Sequence, residues 1–159
     1  MIMQRFVKYI LVVLFLNAAL SCTKESMETE AYKDALARVY AVWGADKQDV
    51  SDFMEGCELK CEGRDYMDFY LPDEEYVVTY MFYNGELYAS ALLVEDNHPV
   101  SFVKVMKKYV YVGITVIFNP DVNHAELYAD EKNNIMFALY DEECNGKSYK
   151  VLGLTPLRE

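Results

Sequence analysis

The feature that most constrains this chain is an Asn-Gly pair between two runs of strand-like residues. Residues 76–83 precede Asn84-Gly85, and residues 86–95 follow it. Asn-Gly favours the two positive φ angles of a type I′ turn, whose twist matches that of antiparallel strands. A two-residue turn fixes the register, and the predicted pairs on one largely apolar face are Phe82–Leu87, Tyr80–Ala89, Val78–Ala91 and Tyr76–Leu93. The other, mixed face would carry Val77, Thr79, Met81, Tyr88, Ser90 and Leu92.

Further strands are predicted from alternating side chains and from a second Asn-Gly pair. Residues 65–71 alternate, with Tyr66, Asp68 and Tyr70 on one face and Met67, Phe69 and Leu71 on the other. Residues 111–118 and 125–128 also favour strands. Residues 135–141 and 148–154 form a predicted hairpin across Asn145-Gly146, with Asp141 facing Lys150.

Apolar spacing of three and four residues predicts the helices. Residues 29–43 fit one helix, with Gly44 at its end. Residues 49–56 fit a short second helix, capped by Ser51 and with Phe53 and Met54 turned inward. A third begins near residues 97–99 and places Phe102, Val105, Met106 and Tyr109 on one face. Residues 57–64 are predicted as a loop.

This order of elements predicts an α+β fold, a largely antiparallel sheet of about six to seven strands with two to three helices packed on one face. The chain divides into a signal peptide over residues 1–21, a lipidated tether over residues 22–28 and a single α+β domain over residues 29–159. Its length suits one such domain.

The N-terminal residues have the layout of an export signal. Arg5 and Lys8 precede an apolar run that ends in Ala19-Leu20-Ser21-Cys22, and the run is too short for a comfortable membrane span. This leader resembles those of Gram-negative lipoproteins, in which the cysteine is lipidated and becomes the new N-terminus; Ala19 departs from the bulky aliphatic residue usual there. The resemblance implies an outer-membrane anchor at Cys22, because Thr23 is not the aspartate that retains such proteins at the inner membrane. Ordinary secretion, with cleavage after Ser21, is the alternative.

Charge and cysteine content limit the partners and the redox state. The formal net charge is −11, which disfavours nucleic acid and favours a cationic electrostatic partner. With Cys22 lipidated, Cys57, Cys61 and Cys144 remain as disulfide candidates, and at most one internal bond can form. Their spacing matches no zinc motif, so we expect no metal site, and no cofactor motif is present.

Catalytic signals are weak in this sequence. Neither His98 nor His124 neighbours a convincing nucleophile. The acidic clusters at residues 73–75 and 141–143 are predicted as solvated turns. The favoured interpretation is therefore a lipid-anchored envelope protein with a non-catalytic binding or interaction domain. The alternatives are a small periplasmic or surface hydrolase or thiol enzyme, and an accessory lipoprotein of envelope assembly.

Tyrosine is the unusual component, with 14 residues. Tyr66, Tyr70 and Tyr88 are the candidate ligand-binding residues on the more open face of the sheet. Tyrosine rings suit sugar stacking or flat protein contact, so a protein or glycan partner is expected. Ordinary packing within a sheet explains the same residues.

Overall fold

The computed structural model describes residues 36–71, 75–96, 102, 106–115 and 124–157, and most of these residues lie in one sheet. Its strands are Glu58–Glu62 (β1), Tyr66–Leu71 (β2), Tyr76–Tyr83 (β3), Glu86–Glu95 (β4), Val110–Thr115 (β5), Ala125–Asp130 (β6), Ile135–Cys144 (β7) and Lys147–Pro156 (β8). Their order across the sheet is β1-β2-β3-β4-β8-β7-β6-β5, and every neighbouring pair is antiparallel. One helix with defined ends, α1, spans Lys47–Phe53 in this part of the chain.

The predicted α+β fold is wrong, and the protein is closer to an all-β fold. Of the residues that the structure describes, strands hold 59% and helices 11%. The predicted loop at residues 57–64 contains β1, the strand that the sequence missed. All five residues of β1 are exposed. Such an edge strand lacks the alternation of apolar and polar side chains that identifies a strand.

The helix predicted over residues 29–43 ends earlier than its apolar pattern indicates. Residues 29–35 lie outside the described residues; Leu36 and Ala37 are helical, and the chain leaves the helix at Arg38. Side chains of the sheet then bind the backbone of Tyr40. The Tyr80 hydroxyl accepts its N–H at 3.1 Å, and the Ser90 hydroxyl donates to its carbonyl at 2.8 Å.

The next residues are also tied to the sheet through their backbone. The Gly44 N–H donates to the Leu87 carbonyl at 2.9 Å, and the Leu87 N–H donates to the Ala45 carbonyl at 2.8 Å. Gly44 has a positive φ of 88°, but it lies in a turn instead of at a helix end. Because the sheet satisfies these polar groups, the segment does not need helical hydrogen bonds.

Helix α1 begins two residues before the predicted helix and has a different cap. Asp46, not Ser51, is the N-cap: its carboxylate accepts the N–H groups of Gln48 and Asp49, and the Asp49 carboxylate accepts the Asp46 N–H. This reciprocal arrangement is a capping box. Met54 is buried as predicted, whereas Phe53 is 44% exposed.

Removing this cap should measurably destabilise the protein. We expect Asp46→Ala to lower the free energy of unfolding by about 0.5–2 kcal/mol, because two helical N–H groups lose their acceptor. Asp65→Ala is the matched control, since the Asp65 side chain forms a long, exposed ion pair to Arg64, at 3.9 Å, and the substitution keeps the backbone carbonyl that accepts the Phe82 N–H. Urea denaturation measures both; equal midpoints for the two variants would contradict the role of the cap.

Both predicted Asn-Gly hairpins are confirmed. The turn residues Asn84, Gly85, Asn145 and Gly146 all have positive φ. β7 and β8 pair without a register shift, and Asp141 faces Lys150 as predicted. The strands predicted at residues 65–71, 111–118 and 125–128 correspond to β2, β5 and β6, with residues 116–123 outside the described part.

The predicted register of the first hairpin holds only beside its turn. Phe82 faces Leu87, but an extra residue in β4, Tyr88, forms a bulge and shifts every later pair. Tyr80 therefore faces Ser90 instead of Ala89, with Val78 facing Leu92 and Tyr76 facing Val94. Ser90 and Leu92, predicted on the mixed face, are fully buried in the core. One inserted residue exchanges the two faces of the rest of a strand.

The two halves of the sheet are related by an approximate two-fold axis. Strands β1–β4 and β5–β8 each form a consecutive antiparallel series, and the halves join where β4 pairs with β8. Tyr88 is an extra residue in β4 that has no counterpart in β8. When Tyr88 is left out of the comparison, the axis passes through the Leu92–Leu152 pair, whose side chains are both fully buried. The Asn-Gly turns are equivalent positions under this rotation.

The core lies on one side of the sheet, which we call the inner face. Val50, Met54, Phe102 and Met106 belong to the same buried cluster as the core side chains of the strands. Phe102 and Met106 are helical and buried, as predicted for the third helix; residues 97–101 and 103–105 lie outside the described residues. The opposite side, the outer face, carries the candidate site.

Candidate functional site

Small residues lie side by side across the middle of the outer face. The register places Thr79 of β3 beside Ala91 of β4, Gly153 of β8 and Ala138 of β7 in one row. We call this row the trough. A Cβ atom built on Gly153 would lie 3.7 Å from the Ala138 carbonyl oxygen and 3.9 Å from the Tyr140 ring, so an added side chain would begin in ordinary van der Waals contact with both residues.

Larger side chains border the trough on both sides. One wall is the next row on the same face: Tyr70, Val77, Leu93, Val151 and Tyr140. The other wall has large side chains only toward its ends, Tyr66 and Met81 in one half and Met136 in the other, with the small residues Ala89 and Thr155 between them. Neighbouring rows on one face are about 7 Å apart, so the backbones of the two walls are about 14 Å apart, and the trough spans four strands, also about 14 Å.

The candidate tyrosines contribute to the trough to different extents. Tyr66 and Tyr70 occupy the outer face of β2, with the Lys60 ammonium 5.0 Å from the centre of the Tyr70 ring. A hydrogen bond to the Cys61 sulfur, at 3.2 Å, raises the pKa of the Tyr66 hydroxyl. Tyr88 is the bulge residue and is 42% exposed. The structure thus places Tyr70 in one wall of the trough and Tyr66 in the other, and Tyr88 lies next to Ala89.

Two further tyrosines of this face, Tyr140 and Tyr149, were not among the candidates predicted from the sequence. Tyr140 closes the far end of the wall that begins at Tyr70, and burial raises the pKa of its hydroxyl to about 12. Its hydroxyl therefore loses its proton at a higher pH than that of an ordinary tyrosine. The alternation of side chains within β7 is sufficient to place Tyr140 on the face of the sheet away from the core residues Phe137 and Leu139. Tyr140 shares a row with Tyr70 only because β4 pairs with β8, and no local sequence pattern indicates that pairing.

A cavity of about 360 Å³ opens at the Tyr70 end of this wall. It is lined by Tyr70, Glu75, Val77, Leu93, Glu95, Lys147 and Tyr149. Lys147 forms an ion pair with Glu95, and that hydrogen bond raises the pKa of the ammonium group. An apolar floor with a charged, exposed rim is suited to a partner that presents both an apolar and a cationic group.

A second cavity, of about 440 Å³, lies near the ends of β7 and β8 that the Asn145-Gly146 turn joins. Its lining is mainly acidic and includes Asp96, Glu126, Asp141, Glu142 and Glu143, together with His124 and Lys150. Residues 141–143 belong to β7, so their predicted turn is wrong. Lys150 pairs with Asp141 and with Asp96, the latter at 3.5 Å, and the hydrogen bond to Asp141 raises the pKa of its ammonium group.

The described residues assemble no catalytic group in this cavity. His124 is exposed, and no hydrogen bond joins it to a described serine or cysteine. His98 and residues 73–74 lie outside the described residues. Within the same ranges, no three His, Cys, Asp or Glu side chains group together in a way that would hold a metal ion.

The three described cysteine thiols are free. Cys57 precedes β1, Cys61 lies within it, and Cys144 of β7 is separated from β1 by five strand spacings, about 24 Å. Since a disulfide needs Cα atoms within about 7 Å, Cys144 is too far from Cys61 to pair with it in this fold.

The accessibility of the thiols is testable by alkylation. We expect iodoacetamide to label Cys61 and Cys144, which are exposed, before the half-buried Cys57. Mass spectrometry of the digested protein measures the labelled fraction at each position, and prior reduction should leave it unchanged. A labelled fraction that rises only after reduction would contradict the free state of the thiols.

No protein-family model matches this chain, and no curated protein or solved structure was found to be similar to it. Among the described residues, no helix has the length and apolar character needed to cross a membrane. The leader, Cys22 and the tether lie outside the described residues. The lipid anchor therefore stays a prediction from the sequence.

Proposed function

We propose that this chain is a lipid-anchored cell-envelope protein whose domain is a non-catalytic module that binds a protein partner through the outer face of its sheet. The observation that carries the proposal is the trough of Thr79, Ala91, Gly153 and Ala138 between walls rich in tyrosine. A groove floored by small residues accepts side chains from a partner, and tyrosine rings supply contact area at a low cost in conformational entropy.

The composition of the outer face supports a protein partner. Protein interfaces are enriched in tyrosine and methionine at their centre and carry charged groups at their rim. Here Met81, Leu93 and Tyr140 border the trough, whereas Glu75 and Glu95 lie in the cavity at its end. Since the chain carries a formal net charge of −11, a basic surface around an apolar centre would complement it best.

A glycan partner is less well supported by the same residues. Recognition of sugar hydroxyl groups needs side chains with free hydrogen-bonding capacity. Thr79 is the one trough residue with a polar side chain, and its hydroxyl already donates to the Asp68 carboxylate at 2.7 Å. Shape and apolar contact, which protein partners use, are what the trough offers.

The anchor and the binding face need separate tests. Radioactive palmitate should label the wild-type protein in cells and should not label Cys22→Ala. An unlabelled wild-type protein would remove the anchor from the proposal and leave the binding face untouched.

Site-specific photocrosslinking tests the binding face in the native envelope. A benzoylphenylalanine side chain introduced in place of Tyr70 should give a discrete adduct with another protein. The same side chain in place of Lys132, an exposed turn residue away from the trough, is the control. Equal adduct patterns from the two positions would reject the outer face as the binding surface.

A further inference from the structure

The two edges of the sheet differ sharply in their side chains. β1 and β5 end the sheet on opposite sides and are equivalent under the approximate two-fold axis. β1 carries Glu58, Lys60 and Glu62 among its five residues, whereas the six residues of β5 include no charge. Charged side chains on an edge strand prevent pairing with another chain. One edge of this sheet is therefore protected in this way and the other is not.

The unprotected edge also exposes an unusual amount of apolar surface. Val110, Tyr111, Val112 and Ile114 are 61%, 54%, 52% and 63% exposed. The Tyr111 ring is held edge-on against Tyr128, with ring centres 5.5 Å apart, so part of this surface is ordered in advance. An exposed apolar edge strand is a template for another strand.

We infer that β5 pairs antiparallel with β5 of a second copy of this chain, joining two eight-stranded sheets around a two-fold axis. Its sequence suits self-pairing: about a centre between Val112 and Gly113, Tyr111 faces Ile114 and Val110 faces Thr115. Each of these pairs is uncharged, so two acidic domains meet here without like charges in direct opposition.

Charges flanking the strand favour the antiparallel orientation. Lys107 and Lys108 precede β5 and are exposed, and Glu126 of β6 lies opposite Ile114 near the other end of the strand. Antiparallel pairing brings the lysines of one copy toward the end where Glu126 of the other copy lies. Parallel pairing would place the lysines together. A second copy is thus the occupant that both the apolar strand and its flanking charges suit.

Both edge strands contain a bulge, between Leu59 and Cys61 in β1 and between Tyr111 and Gly113 in β5. A bulge bends a strand and discourages further pairing. Because both edges have one, the bulges do not distinguish the two edges, whereas the charged side chains of β1 do.

Photocrosslinking between two tagged copies tests the pairing in the intact chain. Cells produce the full-length protein with two different C-terminal tags, and both forms carry benzoylphenylalanine in place of Val112. The expected adduct has twice the mass of the chain and carries both tags. The same crosslinker in place of Leu59, a 46% exposed residue of β1, is the matched control and should give no doubly tagged adduct.

A charge on the strand provides the second arm of the test. Ile114→Lys should reduce the doubly tagged adduct by about ten-fold or more, because each copy then places a charged side chain against Tyr111 of the other, and charges on an edge strand oppose pairing. Leu59→Lys should leave its yield unchanged, and thermal unfolding of both variants checks that the fold survives. Absence of the adduct, an adduct with another protein alone, or an equal effect of both substitutions would overturn the proposal.

Discussion

Leu152→Ala is expected to lower the free energy of unfolding by about 2–5 kcal/mol. Leu152 is fully buried and faces Leu92 where β4 pairs with β8, on the axis that relates the two halves of the sheet. The truncation leaves a cavity bordered by strands on both sides, which cannot close without moving both halves. Urea denaturation followed by circular dichroism measures the change.

A leucine on the edge strand is the control for this substitution. Leu59→Ala in β1 removes the same atoms from a side chain that is 46% exposed, and its cost should stay below about 0.5 kcal/mol. Similar losses in the two variants would mean that the β4–β8 junction is not the centre of one continuous sheet.

Tyr80→Phe should lower the free energy of unfolding at neutral pH by about 1–3 kcal/mol. It should also make the free energy of unfolding fall less steeply as the pH rises into the alkaline range. The Tyr80 hydroxyl accepts the Tyr40 N–H at 3.1 Å and contacts the Met54 sulfur at 3.2 Å. Removal of the oxygen leaves the Tyr40 N–H without this acceptor, so the segment over the core loses an attachment to the sheet.

The alkaline effect follows from the ionisation of Tyr80. Burial is the main cause that raises its pKa above the ordinary value of 10.0. The unfolded chain therefore loses the phenolic proton at a lower pH than the folded protein. The stabilising contribution is complete below pH 10 and is lost as the pH rises from there toward the raised folded value, by up to about 1.4 kcal/mol per pH unit.

Unfolding free energies measured at pH 8 and at pH 11 test this second prediction. The difference between wild type and Tyr80→Phe should shrink at pH 11, because only the wild type has this proton to lose. Tyr83→Phe is the control, since Tyr83 is 70% exposed and should change neither value by much. A constant difference at both pH values would contradict the burial of a neutral phenol at this position.

The Asn-Gly pairs made both hairpins predictable from the sequence, whereas the register of the first hairpin was not predictable. Asn-Gly allows positive φ at two successive residues, so Asn84-Gly85 and Asn145-Gly146 locate two turns without other information. The bulge at Tyr88 has no such signal, because Tyr88 and its neighbours are all compatible with regular strand. The faces of the remaining β4 residues were assigned wrongly for that reason alone.

Contacts distant in sequence explain the other errors. The apolar pattern of residues 29–43 is compatible with a helix, but Tyr80 and Ser90 bind the backbone of Tyr40 from the sheet. The trough has the same origin: its four residues come from four strands, and the β4–β8 pairing that aligns Ala91 with Gly153 joins residues 62 positions apart. Tyrosine content indicated a binding face, but only the sheet order defines its shape.

The most direct test of the outer face as a binding surface is to fill the trough. Gly153→Leu places its Cβ atom in ordinary contact with Ala138 and Tyr140, without a steric clash at that atom, and thermal unfolding checks that the fold is retained. The proposed function predicts that the adduct formed by benzoylphenylalanine at position 70 disappears in this variant and persists in Leu59→Lys. An adduct of unchanged yield in Gly153→Leu, with thermal unfolding like that of the wild type, would contradict it.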